Sequence, residues 1–169
     1  IGLALAARKE ELRGVKVFVP TPGYDFGWYD PGWEESFTIL TAFPLGINRE
    51  MVQERRCDLF TGGLTPFDME YFKGGVDVLL TEVSAPDEGG FCSFGQSLWN
   101  KRQQIQEAKL VIAEVNKNLI RTYGDNYVHV SEIDYFVEHV SSGEIPGGTS
   151  LLGKKAKKEA DATMRQIAK

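Results

Sequence analysis

The sequence predicts an α/β fold with a mainly parallel sheet flanked by helices. β-rich apolar runs at Val15–Val19, Phe37–Phe43, Val76–Val83 and Leu110–Val115 alternate with stretches of helical spacing. Gly and Pro mark most of the boundaries between them. The chain has 169 residues, 42% hydrophobic and 25% charged, a composition ordinary for one soluble domain with a real core.

Leu3 to Leu12 has helical spacing and is stopped by Gly14. Val15 to Val19 alternates and reads as a strand ended by Pro20 and Pro22. Tyr24 to Trp33 mixes Gly, Pro, Asp and aromatics and predicts a loop, serving either substrate or packing. After the strand from Phe37, Asn48 is placed to cap a helix running to about Arg56, with Glu50 in its first turn. Asp58 to Thr61 is a short strand. Thr65-Pro66 opens a helix to about Phe72, since Pro suits the first helical position.

Val76 to Val83 has the unbroken apolar pattern of a buried strand. A loop over Ala85–Gly90, a short strand from Phe91 to Phe94 and a polar helix from Leu98 to Ala108 follow. Leu110–Val115 is a second buried strand, Gly124–Asn126 a turn, and Tyr127–Val140 one or two further strands. Glu144–Thr149 reads as a loop and Leu151–Ala168 as a final helix. Residues 1–150 are therefore expected to form one domain, and residues 151–169 a helix leading out of it. Ile1 opens inside helical spacing and the chain ends inside it, so both ends are expected to be cut.

A net charge of −5 argues against nucleic-acid binding, which needs a basic surface. The cluster Lys154, Lys155, Lys157 and Lys158 is followed by Glu159 and Asp161 and reads as a solvated helix face. No apolar run approaches the roughly 20 residues of a membrane span. Arg8, Lys9, Glu10 and Glu11 interrupt the first apolar stretch, so no secretory signal opens the chain. The two cysteines, Cys57 and Cys92, have no metal spacing. A reduced, cytoplasmic protein without a bound metal is expected.

Three stretches carry chemistry. In Asp77-Val-Leu-Leu-Thr-Glu-Val-Ser-Ala-Pro-Asp-Glu-Gly-Gly-Phe-Cys-Ser-Phe-Gly95 a strand spills into a glycine-rich loop. Ligands gather at the carboxyl ends of parallel strands. There Ser84, Asp87 and Ser93 offer hydrogen bonds, and Gly90 and Gly95 allow close backbone approach. A tight turn in which Asp87 caps its own backbone explains the same residues. In the second stretch, Gly46-Ile-Asn48-Arg49 entering a helix could present N–H groups and a guanidinium to an anion; an ordinary helix cap beside a surface arginine is the alternative. The third runs from Ala108-Lys-Leu-Val-Ile-Ala-Glu-Val-Asn116 through Arg121-Thr-Tyr-Gly124-Asp to His129-Val-Ser131-Glu-Ile-Asp134.

Together these stretches resemble the acetyl-CoA hydrolase and 4-hydroxybutyrate CoA-transferase family, in its amino-terminal domain. Val83, Ser84, Asp87, Gly90, Phe91, Ser93, Phe94 and Gly95 match a family pattern in order and spacing. Ala108, Lys109, Val111 to Ala113, Val115 and Asn116 match a second block, continued by Arg121, Thr122, Gly124, Asp125, His129, Val130, Ser131, Asp134 and Tyr135. Gly46, Asn48 and Arg49 match a third element loosely, with the arginine one position early. Gly89 stands where the family often has His.

The resemblance implies transfer of CoA between carboxylic acids through a glutamyl-CoA thioester, with acyl-CoA and a short carboxylic acid as substrates and no resident cofactor. It places the nucleophilic glutamate outside this chain, in a carboxyl-terminal domain or partner subunit, and implies a homo-oligomer. Asn48, Arg49, Ser84, Asp87, Gly90, Ser93 and Gly95 are then the candidate substrate-binding residues, and no residue of this chain is catalytic. Acyl-CoA hydrolysis and a non-catalytic assembly domain beside a separate catalytic subunit are the alternatives. A nucleotide-binding Rossmann domain is disfavoured, because no Gly-x-Gly-x-x-Gly follows a strand. Cys92 reads as a packing residue, Glu82 and Glu114 as hydrogen-bonding groups, and His129 and His139 lie too far apart to form a local metal pair.

Overall fold

The computed structural model describes residues 1–60, 75–96, 100–140 and 166. The helix expected from Thr65, the start of the polar helix at Leu98 and the two elements expected after Glu144 lie outside them. The chain divides into two compact units, one joining Ile1–Ala7 to Thr61–Ser142 and the other joining Arg8–Phe60 to Gly143–Lys169.

The first unit is built on strands β4 (Leu79–Val83), β6 (Val111–Val115) and β8 (Tyr135–Glu138). They form a parallel sheet in the order β4-β6-β8, with Leu79 opposite Val111 and Ile112 opposite Tyr135. A second, antiparallel pair joins β5 (Phe91–Ser93) to β7 (Tyr127–His129), setting Cys92 opposite Val128. Helix α3 (Lys101–Glu107) makes the crossover from β5 to β6. Alternate strand residues point to one face. Leu79, Val83, Val111 and Ala113 therefore share a core with Cys92, Phe94, Ile105 of α3, Val128 and Ile133. Each large side chain buried there contributes about 1.5–3 kcal/mol.

β7 and β8 are the strands expected within Tyr127–Val140. All four residues of β8 are exposed, and it lies at the end of the sheet order among the described strands. Helix α1 (Gly2–Ala7) is shorter than the expected Leu3–Leu12. Arg8 leaves helical geometry, and Lys9–Glu11 continues as a 3₁₀ turn in which Arg8 and Glu11 pair at the i,i+3 spacing that such a turn eclipses.

The second unit holds another parallel sheet, β1-β2-β3, from β1 (Val15–Phe18), β2 (Phe37–Thr41) and β3 (Asp58–Leu59). The fold is thus mainly parallel α/β, as expected, but with its strands in separate sheets. The Tyr24–Trp33 loop packs against β2. Ring centroids step from Tyr24 to Phe26 at 4.7 Å, to Trp28 at 4.9 Å and to Phe37 at 5.4 Å. Trp33 stacks on Phe37 from another side, with the Lys9 ammonium 4.6 Å above the Trp33 ring. Helix α2 (Arg49–Gln53) follows, and Arg56 ties its far end to this loop through the Tyr29 carbonyl at 3.0 Å and Glu34 at 3.2 Å.

Among the described residues no helix is long and apolar enough to cross a membrane. No three of His, Cys, Asp and Glu gather there as they would around a metal ion.

Candidate functional site

β4 delivers the chain to Ser84 at the carboxyl end of the parallel sheet. The backbone then folds back, with Ser84 N–H bonded to the Ser93 carbonyl at 2.8 Å and Asp87 N–H to the Phe91 carbonyl at 3.0 Å. Asp87 shapes the turn. Its Oδ1 accepts the N–H groups of Gly89 at 3.0 Å and Phe91 at 2.8 Å, which is the self-capping arrangement short acidic side chains favour. Pro86, Asp87, Glu88 and Gly89 are left exposed at the tip.

Arg121 holds this loop from outside. Its Nη1 donates to Ser84 Oγ at 3.0 Å and to the Ala85 carbonyl at 2.9 Å. Its Nη2 donates to Asp87 Oδ2 at 2.8 Å and to the Phe91 carbonyl at 3.1 Å. The guanidinium lies 5.5 Å from the centre of the Tyr127 ring. A half-exposed ion pair alone contributes little. The strength here lies in four directed bonds from one planar fork, which a lysine cannot reproduce.

Buried Ser84 uses its whole hydroxyl internally. It accepts from Arg121 and from Ser93 N–H at 2.9 Å, and donates to the Ala85 carbonyl at 2.9 Å. Ser93 Oγ, fully buried, accepts from Gly95 N–H at 3.1 Å, Thr122 N–H at 3.3 Å and Asn126 Nδ2 at 3.3 Å. The Gly95 carbonyl takes the Thr122 hydroxyl at 2.7 Å and Asn126 Nδ2 at 3.1 Å. Gly95 has φ +62°, and a Cβ there would lie 2.8 Å from Leu119 Cγ. Gly90, at φ +80°, rests on the His129 ring, where a Cβ would lie 2.8 Å from Nε2.

His129 is fixed in turn. Ser131 N–H donates to its Nδ1 at 3.3 Å, the Ser131 hydroxyl lies 2.7 Å from the same atom, and Nε2 faces Gly90. Its backbone N–H donates to Glu132 at 2.9 Å, and Arg102 grips both Glu132 oxygens at 3.0 Å. Partial burial pushes the Glu132 carboxyl up, but the His129 N–H and the Arg102 guanidinium outweigh it and hold the group below the usual carboxylate range.

The structure therefore brings Ser84, Asp87, Gly90, Ser93 and Gly95 into one network. Asn48 and Arg49 belong to the other unit. Asn48 precedes α2 but does not cap it with its side chain, correcting the expected cap. Fully buried, it turns back instead. Its Oδ1 accepts Leu45 N–H at 2.7 Å, and its Nδ2 reaches Thr41 Oγ1 and the Phe43 carbonyl, both at 3.3 Å. Arg49 is exposed, and its guanidinium has no partner among the described residues.

Cys92 is fully buried in the core, and burial pushes its thiol up, away from the nucleophilic thiolate. Glu82 accepts from Asn116 at 2.7 Å, and Glu114 lies 2.6 Å from His139 Nδ1. Arg121, Thr122 and Asn126 are the residues that sequence reading passed over as site components. The signal available for them was their place in the third stretch, 34 residues beyond Asp87 for the arginine.

A parallel strand thus runs into a Ser-x-x-Asp loop that re-enters at a buried serine and a left-handed glycine. The chain belongs to the acetyl-CoA hydrolase/transferase family, whose N-terminal domain matches residues 51–142. It is 59% identical over 138 residues to 4-hydroxybutyrate coenzyme A transferase of Clostridium kluyveri, covering 80% of this chain and 32% of that protein. It is 30% identical over 141 residues to succinyl-CoA:cyclohexane-1-carboxylate CoA transferase of Geobacter metallireducens, covering 80% of this chain and 31% of that protein. The chain thus spans about a third of the length of these curated relatives.

Among solved structures, RipA from Yersinia pestis superposes with a TM-score of 0.70 at 19% identity, covering 80% of this chain and 35% of that one. A 4-hydroxybutyrate CoA-transferase from Porphyromonas gingivalis gives 0.53 at 24% identity, covering 82% and 38%. These two likenesses show the fold.

Proposed function

We propose that this chain forms the acid-binding wall of an acyl-CoA:carboxylate CoA-transferase whose nucleophilic glutamate lies outside residues 1–169. The 59% identity to the Clostridium kluyveri 4-hydroxybutyrate transferase carries this reading and makes 4-hydroxybutyrate the first acid to test. In the proposed cycle the glutamate carboxylate attacks the acyl-CoA thioester carbonyl and expels CoA thiolate, leaving a mixed anhydride. The thiolate then attacks the glutamyl carbonyl and releases the first acid, giving the glutamyl-CoA thioester. The acceptor carboxylate attacks this thioester and the thiolate leaves. Attack of the thiolate on the new acyl carbonyl then frees the glutamate. Each difficult acyl transfer is divided into easier covalent steps.

In this reading the Ser84–Gly95 network fixes the wall against which the acid lies, and Arg49, exposed at the start of α2, is a separate candidate for an anionic group of a substrate. Ser84 and Ser93 act by shape, since their oxygens are engaged within the loop. Hydrolysis is the second reading, favoured by the family description, which spans both outcomes. Water then takes the acceptor's place at the glutamyl thioester.

The test incubates the full-length protein with acetyl-CoA and 4-hydroxybutyrate, follows transfer, and maps any covalent CoA adduct by peptide mass. Transfer with an adduct on a glutamate beyond residue 169 is the expected result. Release of free CoA at the same rate without the acid selects hydrolysis. An adduct within residues 1–169 overturns the placement of the nucleophile.

A further inference from the structure

We infer that Arg121 is the positioning residue of the acid-binding loop, acting through Ser84 and Asp87 without touching the acid. The inference rests on the transferase reading above. An arginine beside a candidate carboxylate site invites a binding role, but the geometry assigns it another.

Nη1 and Nη2 carry four N–H groups. All four are matched, to Ser84 Oγ, the Ala85 carbonyl, Asp87 Oδ2 and the Phe91 carbonyl. Asp87 compensates the charge at 2.8 Å. No pair of Nη hydrogens remains to grip a second carboxylate in a bidentate fork. The four acceptors come from both limbs of the turn, Ser84 to Asp87 on the outgoing side and Phe91 on the return, so one planar group sets the width of the loop. From its other side the loop abuts His129, with Gly90 packed on the ring and Phe91 edge-on to it at 5.0 Å. His129 is itself anchored through Glu132 to Arg102. The tip, Glu88 to Gly90, is thus held between a guanidinium and an imidazole, each fixed by its own partners. Neither of its glycines could hold the tip in place unaided.

Preorganisation of this kind acts on the bound acid. Loosening the loop lets it adopt arrangements that do not bind, and apparent affinity falls by the fraction of competent loop.

The experiment uses the full-length protein with Arg121→Lys and Arg121→Gln. It measures transfer kinetics for donor and acceptor separately, together with hydrogen exchange at the Gly89 and Phe91 amides. Both variants are expected to raise the acceptor KM about 10-fold, since each loses charged hydrogen bonds. The donor KM stays within about twofold, and exchange at Gly89 and Phe91 accelerates while exchange at core strands β4 and β6 does not. Faster loop exchange with an unchanged acceptor KM overturns the positioning role and leaves a purely structural clamp. Equal rises in both KM values with faster exchange throughout the core mark a folding residue and overturn it too. Unchanged loop exchange removes the clamp altogether. A wild-type protein without transfer activity overturns the transferase reading instead, and the exchange data then decide alone whether Arg121 orders the loop.

Discussion

At the scale of single residues, the loop depends on positions where only one side chain fits. Gly95 combines a left-handed backbone with a close neighbour, because a Cβ would lie 2.8–3.1 Å from the branched end of the half-buried Leu119, which would have to shift. Gly95→Ala is expected to cost about 2–3 kcal/mol, the sum of αL strain and overpacking. Chemical denaturation of the two proteins measures it, and a cost within error of zero would mean that Leu119 moves aside freely. Sequence alone offered Gly95 as a point of ligand approach, whereas here the close neighbour is Leu119. The ambiguity is physical: a glycine records that a Cβ is excluded, and leaves unspecified what excludes it. Arg121 illustrates the reverse case. Its acceptors lie 30–37 residues earlier in the chain, and no local spacing could reveal them.

At the scale of elements, Lys101 opens α3 with its ammonium turned to the buried Thr81 hydroxyl at 3.1 Å. Burial pushes this lysine below its ordinary value, and the distant Glu82 charge only partly offsets it. A base whose folded value is lowered binds fewer protons folded than unfolded. Stability therefore rises with pH up to the unfolded value near 10.5 and is lowest where both states are charged. Lys101→Met is expected to stabilise the protein by about 1 kcal/mol at pH 7, with less advantage at pH 10. Urea unfolding at the two pH values checks this, and a methionine variant less stable at pH 7 would show that the ammonium is well solvated. α3 also shows how far elements can be read from sequence. The runs at Val76–Val83 and Leu110–Val115 are apolar enough to predict buried strands, and both form at the core. Periodicity says that a segment is a strand but not which strand it meets, so division into separate sheets could not be foreseen. Asn48 has the chemistry of a cap, yet an amide can serve the turn before it as well as the helix after it, and Leu45 wins.

At the scale of the whole molecule, the candidate residues fall in both units, and the two in the second unit separate by burial. Asn48 is fully buried and makes three hydrogen bonds that close the turn between β2 and α2. Its removal would leave buried partners unsatisfied, at about 1–3 kcal/mol each, and would confuse any kinetic result with folding. Arg49 is exposed, so truncation there should change stability by no more than about 0.5 kcal/mol. Arg49→Ala in the full-length protein is thus the cleaner probe of the second unit. If its guanidinium meets the acid carboxylate, the acceptor KM rises about 10-fold through loss of a charge-assisted pair, and Arg49→Lys recovers only part because lysine lacks the planar fork. Raised salt should weaken acceptor binding in the wild type more than in the alanine variant, since screening acts on an exposed charge. Unchanged acceptor kinetics in Arg49→Ala would remove Arg49 from acid recognition.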